Sequence, residues 1–454
     1  MFNPIPLPSA PFSRLASFAL QSTAKDIPVA VKERAALLLL DTLGICAAAT
    51  QMQAGRIARD TTRDLYGAGR GPGVPMLFDG RRVSPAGVVF AAATQTDNLD
   101  AHDGFNLTKG HIGVAVVPTL AALAHDLPDL SGPDALTALV LGYEIAGRAG
   151  IALHATVADF HTSGAWNALG VAALAARLKG LNADQLRHAL GIAEYHGPRS
   201  QMMREIANPT MLHDGSGMGA LAGLSAAVMA EKGFTGAPAI TLEAPEAAPY
   251  WENLGQHWLT EDQYIKPYPI CRWAHAPINA AERLRTAHGI DHRQIARITI
   301  RSFAEAIALY PGMPDHTARA QYALAFPVAA MLVNGRIGLP EISGPGLNAP
   351  DVARLVALTE GIVDQRHQAR FPAERWAEVE ITLADGTVLA SGEVTTSGGP
   401  EEPFDALRLR AKFHDYAGPV LGHDRAKRLE AAVLSLTEPG ARFAPVNALI
   451  SEAP

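Results

Sequence analysis

The sequence predicts a mainly α fold: a large, discontinuous, all-helical domain with a smaller α+β domain inserted between its two parts. Three observations predict it. Aromatic residues make up only 6% of the 454 residues while alanine and leucine recur in runs such as Ala35-Ala36-Leu37-Leu38-Leu39-Leu40 and Ala172-Ala173-Leu174-Ala175-Ala176. Such side chains lose little entropy in a helix and let helices approach closely. Second, the pattern changes after Lys266, where Ile295 to Arg301 and Trp376 to Thr382 alternate apolar and polar residues in the manner of half-buried strands. Third, helical spacing resumes from Asp405. A chain of this length exceeds one ordinary hydrophobic core, so two domains are expected, 1–266 with 399–454 and 267–398.

Taken in order, apolar residues recur at helical spacing from Val29 to Ala49 behind Pro28. Helices are predicted over Pro85 to Leu99, His111 to Ala124, Gly132 to Ala152, Ser163 to Lys179, Ala183 to Glu194 and Met218 to Lys232. Ser84 ahead of Pro85, Ser131 ahead of Pro133 and Asn182 are the natural caps. Gly67 to Gly73 is a glycine-rich turn. The Val74–Phe78 run after it reads as a short strand and no helix opens from the last glycine, so it fails the context test for a dinucleotide cradle. In the predicted insert, Asp385-Gly386 marks a hairpin into Val388 to Gly392, and helices are expected around Ala318 to Val333 and Pro350 to Ala357.

The net charge of −7 and the lack of a basic stripe interleaved with aromatics argue against a nucleic-acid partner. Two cysteines, Cys46 and Cys271, are too few for a disulfide framework. Met1 to Ala24 lacks the pattern of a signal peptide, and apolar stretches such as Gly113 to Ala124 look too short to span a bilayer. The expectation is a cytoplasmic protein with no membrane partner.

Four polar segments carry candidate chemistry. Asn98 to Gly113 gathers Asp100, His102, Asp103, Lys109 and His111 between two apolar helices. A neutral histidine beside an aspartate is the usual general-base arrangement, because the carboxylate orients the imidazole and stabilises the imidazolium. Asp159 to Trp166 places His161 before a helix of small residues. Asn208 to Gly217 contains Thr210, His213 and Asp214, with glycines that permit backbone approach to a ligand. Tyr264 to His275 holds Lys266, Arg272 and His275 where the composition shifts. Lys266 and Arg272 supply the positive charge that carboxylates need. Any one segment reads as an ordinary polar loop; four together favour a site. Metal-ligand spacings such as His-Glu-x-x-His are lacking, and so is a Gly-x-Ser-x-Gly elbow. No metal and no cofactor are expected.

Ordered along the chain, Asp41-Thr-Leu-Gly44, Leu99-Asp100, Gly110-His111, Val117-Pro118, Gly142-Tyr-Glu144, Phe160-His161-x-Ser-Gly164, Lys266-Pro-Tyr-Pro-x-Cys, His275, Ala320-Gln-Tyr-x-Leu-x-Phe326 and Lys412-Phe413 resemble the MmgE/PrpD family. The resemblance covers nearly the whole chain. It implies a helical domain formed by both chain ends, a smaller lid domain, a cleft joining them and a homodimer. It also implies a small carboxylic acid as substrate, with Asp100, His111, His161, Lys266 and His275 on the family's pocket positions. Two departures accompany it: Thr210-Met211 stand where decarboxylases and epimerases of the family tend to carry Lys-Pro, and Phe326 occupies a position often filled by tyrosine.

The expected chemistry is dehydration of a small di- or tricarboxylic acid. His111, oriented by Asp100, removes a proton beside a carboxylate; His161 or His275 acts as acid; Lys266 stabilises the enolate. His102, Lys109, Thr210, His213, Arg272 and Phe326 are expected to line the substrate site. The same groups would serve a decarboxylase or an epimerase, and a non-catalytic small-acid binding protein is the alternative of a different class.

Overall fold

The computed structural model describes residues 8–400 and 402–454. With 57% of the chain helical and 10% in strands, the fold is mainly α. The chain divides into two compact units. One comprises the chain up to Met203, Leu212–Tyr264 and Asp405–Pro454; the other comprises Arg204–Met211 and Ile265–Phe404.

The first unit is built of α1 (Ala10–Gln21), α2 (Val29–Ala49), α3 (Gln53–Leu65), α4 (Pro85–Leu99), α5 (Gly113–Ala124), α6 (Gly132–Thr156), α7 (Gly164–Leu178), α8 (Ala183–His196), α9 (Ser216–Glu231) and α10 (Ala406–Leu421). Local chemistry starts several of them. Ser84 Oγ accepts from the Gly87 N–H, Ser131 Oγ from the Asp134 N–H, and Asn182 and Gln185 exchange hydrogen bonds in a capping box. α7 lies against α6, α8 and α9, while α9 also covers α4. These helices present mostly alanine, glycine and leucine to one another, as the composition predicts. The α6 helix corrects one expectation: over 25 residues it is long and apolar enough to cross a bilayer, but 94% of its apolar window is buried inside the molecule. It is a core helix. Two antiparallel pairs, β1 (Val74–Pro75) with β2 (Arg82–Val83) and β3 (Gly104–Phe105) with β4 (Gln263–Tyr264), complete this unit. β1 is shorter than the predicted Val74–Phe78 because the chain turns at Asp79, where the Met76 N–H bonds the Arg81 carbonyl and Phe78 takes a positive φ.

The C-terminal segment is fastened into the first unit by charge. α10 runs along α2, and Lys412 Nζ lies 2.6 Å from both Asp41 Oδ1 and the Ala101 carbonyl. A buried carboxylate and ammonium are tolerable only as partners, so this pair pins α10 to α2 and to the loop after α4.

The second unit carries a five-stranded sheet of β5 (Ile295–Ser302), β6 (Thr359–Val363), β7 (Trp376–Leu383), β8 (Val388–Ala390) and β9 (Val394–Thr395), in which β6, β5, β7 and β8 are successive neighbours and β9 pairs with β7. β5 and β6 are parallel; β5 and β7 are antiparallel, with Ile300 opposite Val379. The alternation read in β7 is real, since Ala377, Val379 and Ile381 point inward, and the helix His275–His288 packs on this strand. Gly386 takes φ 88° in the β7–β8 hairpin, a backbone that suits glycine. The predicted helix over Ala318–Val333 is broken in two, Thr317–Gln321 and Ala325–Asn334. Between them Tyr310 pairs with the chain: its N–H bonds the Tyr322 carbonyl, and its own carbonyl accepts from Leu324. These bridge bonds replace helical ones.

Candidate active site

The first two polar segments and the Leu212–Gly217 part of the third come together within the first unit. The loop after α4 brings Asp100, His102, Asp103 and His111 into the interior, all less than a tenth exposed. His111 stands two residues before α5 rather than inside it, because the helix begins at Gly113. Its backbone N–H donates to Ser163 Oγ at 2.8 Å. Ser163 in turn donates to Asp214 Oδ2 through a short hydrogen bond, and the Gly164 N–H bonds the Asp214 carbonyl at 3.0 Å. Two residues placed just ahead of helices therefore bind each other instead of capping. Ser163 precedes α7 without capping it, and Asp214 precedes α9 while binding Ser163.

The histidine tautomer follows from its partners. His111 Nδ1 is 2.6 Å from the Asp103 carbonyl, and a carbonyl only accepts, so Nδ1 carries the hydrogen. The other nitrogen, Nε2, lies 3.7 Å from Asp100 Oδ1. Orientation thus comes from the Asp103 main chain, and Asp100 is left to stabilise the positive charge once Nε2 is protonated. The His102 ring lies tilted against His111 with centroids 4.3 Å apart, and His102 Nε2 lies 3.7 Å from Asp97 Oδ1.

The carboxylates behind these rings are perturbed by burial. Asp97 accepts from the Ser216 N–H at 3.1 Å; burial, with the Asp214 charge close by, pushes its carboxyl well above the usual carboxylate range. Asp103 is pushed up to about 6, first by burial and then by the charge of Asp41. Its carboxylate accepts from Thr42 Oγ1 and from the Gly113 N–H, both at 3.3 Å, so it caps α5 from ten residues away. A Cβ on Gly113 would sit 2.3 Å from both Asp103 Oδ1 and the Tyr143 hydroxyl, which explains why only glycine fits there. At Gly110 a Cβ would meet Ser163 Oγ at 2.3 Å.

His161 is mostly buried. Its backbone N–H donates to His154 Nε2 at 3.1 Å, so that nitrogen is unprotonated, in keeping with burial lowering His154 to about 4. Lys109 Nζ sits 3.9 Å over the ring of Phe160, next to His161 in sequence. Four non-glycine residues in the described chain have left-handed backbone, and three of them, Asp100, Lys109 and His213, lie on these segments. Such conformations are disfavoured for L side chains and concentrate where a structure holds a residue for a purpose.

The remaining candidates belong to the second unit. Lys266, Arg272 and His275 are buried there. Arg272 Nη1 donates to the Ser397 carbonyl at 2.6 Å, and His275 Nε2 donates to the Ile270 carbonyl at 2.8 Å. Phe326 is fully buried in the helix Ala325–Asn334, whereas Thr210 is exposed.

Two family models match almost end to end: the MmgE/PrpD N-terminal domain over residues 13–247 and the MmgE/PrpD C-terminal domain over 268–438. The chain belongs to the MmgE/PrpD family. A human cis-aconitate decarboxylase is 27% identical, the match covering 90% of this chain and 88% of the human protein. A cis-aconitate decarboxylase of Aspergillus terreus is 25% identical over 93% and 92% of the two chains, and a cis-aconitate decarboxylase-like protein of Aspergillus oryzae is 24% identical over 97% of each. As a member of this MmgE/PrpD set, the chain is an enzyme of the lyase class.

Several MmgE/PrpD motif residues acquire structural reasons. Tyr143 faces the Asp103 carboxylate, and burial raises its phenol well above 10. Glu144 pairs with Arg148 at 2.6 Å and accepts from the N–H groups of Leu259 and Thr260. The structure brings Asp97 and Ser163 beside the residues expected from sequence, and it gives Asp103 and Asp214, already named on the polar segments, their partners. Asp103 and Asp214 flank the predicted histidines, which is the one local signal they carry.

Proposed function

We propose that this enzyme is a decarboxylase of a small unsaturated tricarboxylic acid of the cis-aconitate kind, with His111 as the group that delivers a proton to carbon. The observation that carries it is the fixed tautomer of His111, with Nδ1–H on the Asp103 carbonyl and Nε2 turned toward Asp100. Loss of CO2 from such an acid leaves its bonding pair as an enolate-like anion conjugated with a remaining carboxylate. A proton must then reach carbon, and the bond to carbon forms as the N–H bond breaks. An imidazolium at Nε2, stabilised by the Asp100 carboxylate, is a donor suited to that step near neutral pH. The names of the relatives support this substrate class.

Dehydration of a hydroxy acid is the second reading. It is favoured by Thr210-Met211, where decarboxylases of the family tend to carry Lys-Pro. The same His111 then works in reverse, taking a proton from the carbon next to a carboxylate, while the departing hydroxide takes a proton from an acid such as His161 and leaves as water. Incubation with cis-aconitate and with hydroxylated tricarboxylic acids, followed by NMR, distinguishes the two. Release of CO2 from the first supports decarboxylation; water loss from the second with no CO2 from the first supports dehydration. No turnover of any acid in a broad panel, with tight binding by calorimetry, would leave only a binding protein.

A further inference from the structure

Apart from these histidines, the second unit holds another cluster of ligand-type side chains. Asp364 lies between β6 and the short helix Gln365–Arg370, His367 is on that helix, and Glu378 is on β7. One ligand atom from each lies within 4.8 Å of the other two. His367 is fully buried, and neither ring nitrogen has a hydrogen-bond partner among the described residues. Buried polar groups are nearly always satisfied, so an imidazole with both nitrogens unused, beside two carboxylates, calls for a missing partner.

We propose that Asp364, His367 and Glu378 bind a divalent transition-metal ion, zinc being the best match to one imidazole and two carboxylates. In a tetrahedral zinc site the ligand atoms sit about 2.0–2.2 Å from the metal and therefore roughly 3.4 Å from one another. The cluster closes on an ion by drawing its ligand atoms together by little more than about 1 Å. Solvent supplies the fourth position.

Charge supports the assignment. Arg366 now serves as the cation, donating from Nη2 to Asp364 Oδ2 at 2.8 Å and to Glu378 Oε2 at 3.1 Å. Its side chain is 58% exposed, so it can leave without being pulled from the core. A place to go exists: Glu393 Oε1 lies 3.6 Å from Arg366 Nη1, and Glu393 also pairs with Arg370. Three carboxylates against two guanidiniums leave one negative charge, which a divalent ion can neutralise. The ion would link the Gln365–Arg370 turn to β7.

The test is titration of chelator-treated, full-length protein with Co2+, followed by visible absorption, and with Zn2+ by calorimetry. One ion per chain is expected, with His367→Gln and Glu378→Gln each weakening binding at least tenfold and His111→Ala leaving it unchanged. Arg366→Ala should tighten binding several-fold, because it removes the competing cation. That variant keeps the test meaningful if His367→Gln folds poorly. No stoichiometric binding, binding that survives both ligand variants, or binding weakened by Arg366→Ala would overturn the site and leave a water molecule on His367.

Discussion

Replacing Asp103 by asparagine isolates the cost of a buried charge beside the candidate catalytic histidine. The amide keeps one oxygen for either Thr42 Oγ1 or the Gly113 N–H, which bind different oxygens of the carboxylate, and the main-chain carbonyl that holds His111 is untouched. The lost acceptor weighs equally at every pH, so the pH-dependent part of the change reports the charge alone. In the unfolded chain Asp103 ionises near 3.8, but burial and Asp41 raise it to about 6 in the native state. Between those values the native chain binds more protons than the unfolded one, so this group makes stability fall as pH rises. The full penalty above pH 6 is about 3 kcal/mol, of which about 2 kcal/mol develops between pH 4.5 and 7.5. The amide of the Asp103→Asn protein does not titrate. Urea unfolding of both proteins at the two pH values removes the contribution of every shared group by difference. The substituted protein should therefore gain about 2 kcal/mol relative to the parent on going from pH 4.5 to 7.5. A difference that stays constant with pH, or moves the other way, would show that Asp103 is not a strained buried carboxylate.

Other substitutions probe the same architecture. Ser163→Ala strands the His111 N–H and the Asp214 carboxylate together, so it should cost roughly 3 kcal/mol in chemical denaturation as well as activity. Gly113→Ala places a Cβ 2.3 Å from two polar atoms behind His111; we expect a loss of about 1–3 kcal/mol and a fall in kcat, read from melting curves and initial rates. Lys412→Met leaves Asp41 buried without its ammonium, which should cost about 3–5 kcal/mol; a change below about 1 kcal/mol in urea would mean that the pair does not hold α10.

The fold is legible in the sequence where the determining chemistry is local. Val29–Ala49, Pro85–Leu99 and Pro350–Ala357 are readable to their true ends because proline or a serine cap marks each start. Where distant chain decides, the signal is lost. β6 is not legible because Thr-Glu-Gly-Ile-Val does not alternate clearly, and its strand character comes from parallel pairing with β5, some sixty residues earlier. The Ala318–Val333 break depends likewise on Tyr310. Among site residues, His111 and Asp100 stand out as an acid–histidine pair on one polar loop. The orienting role of Asp103 is hidden, because an aspartate that caps a helix ten residues on and grips an imidazole through its main chain has no sequence signature. Ser163 and Asp214 meet across 51 residues, and each reads locally as a helix cap.

The most direct measurement is turnover of cis-aconitate in D2O, followed by proton NMR of the product for the parent and for His111→Ala. Proton delivery to carbon by His111 predicts CO2 release with one solvent-derived deuteron on carbon in the product, and at least a hundredfold loss of rate without the imidazole. A product free of deuterium, or a His111→Ala protein that turns over at the parental rate, would contradict the assignment of His111 as the proton donor.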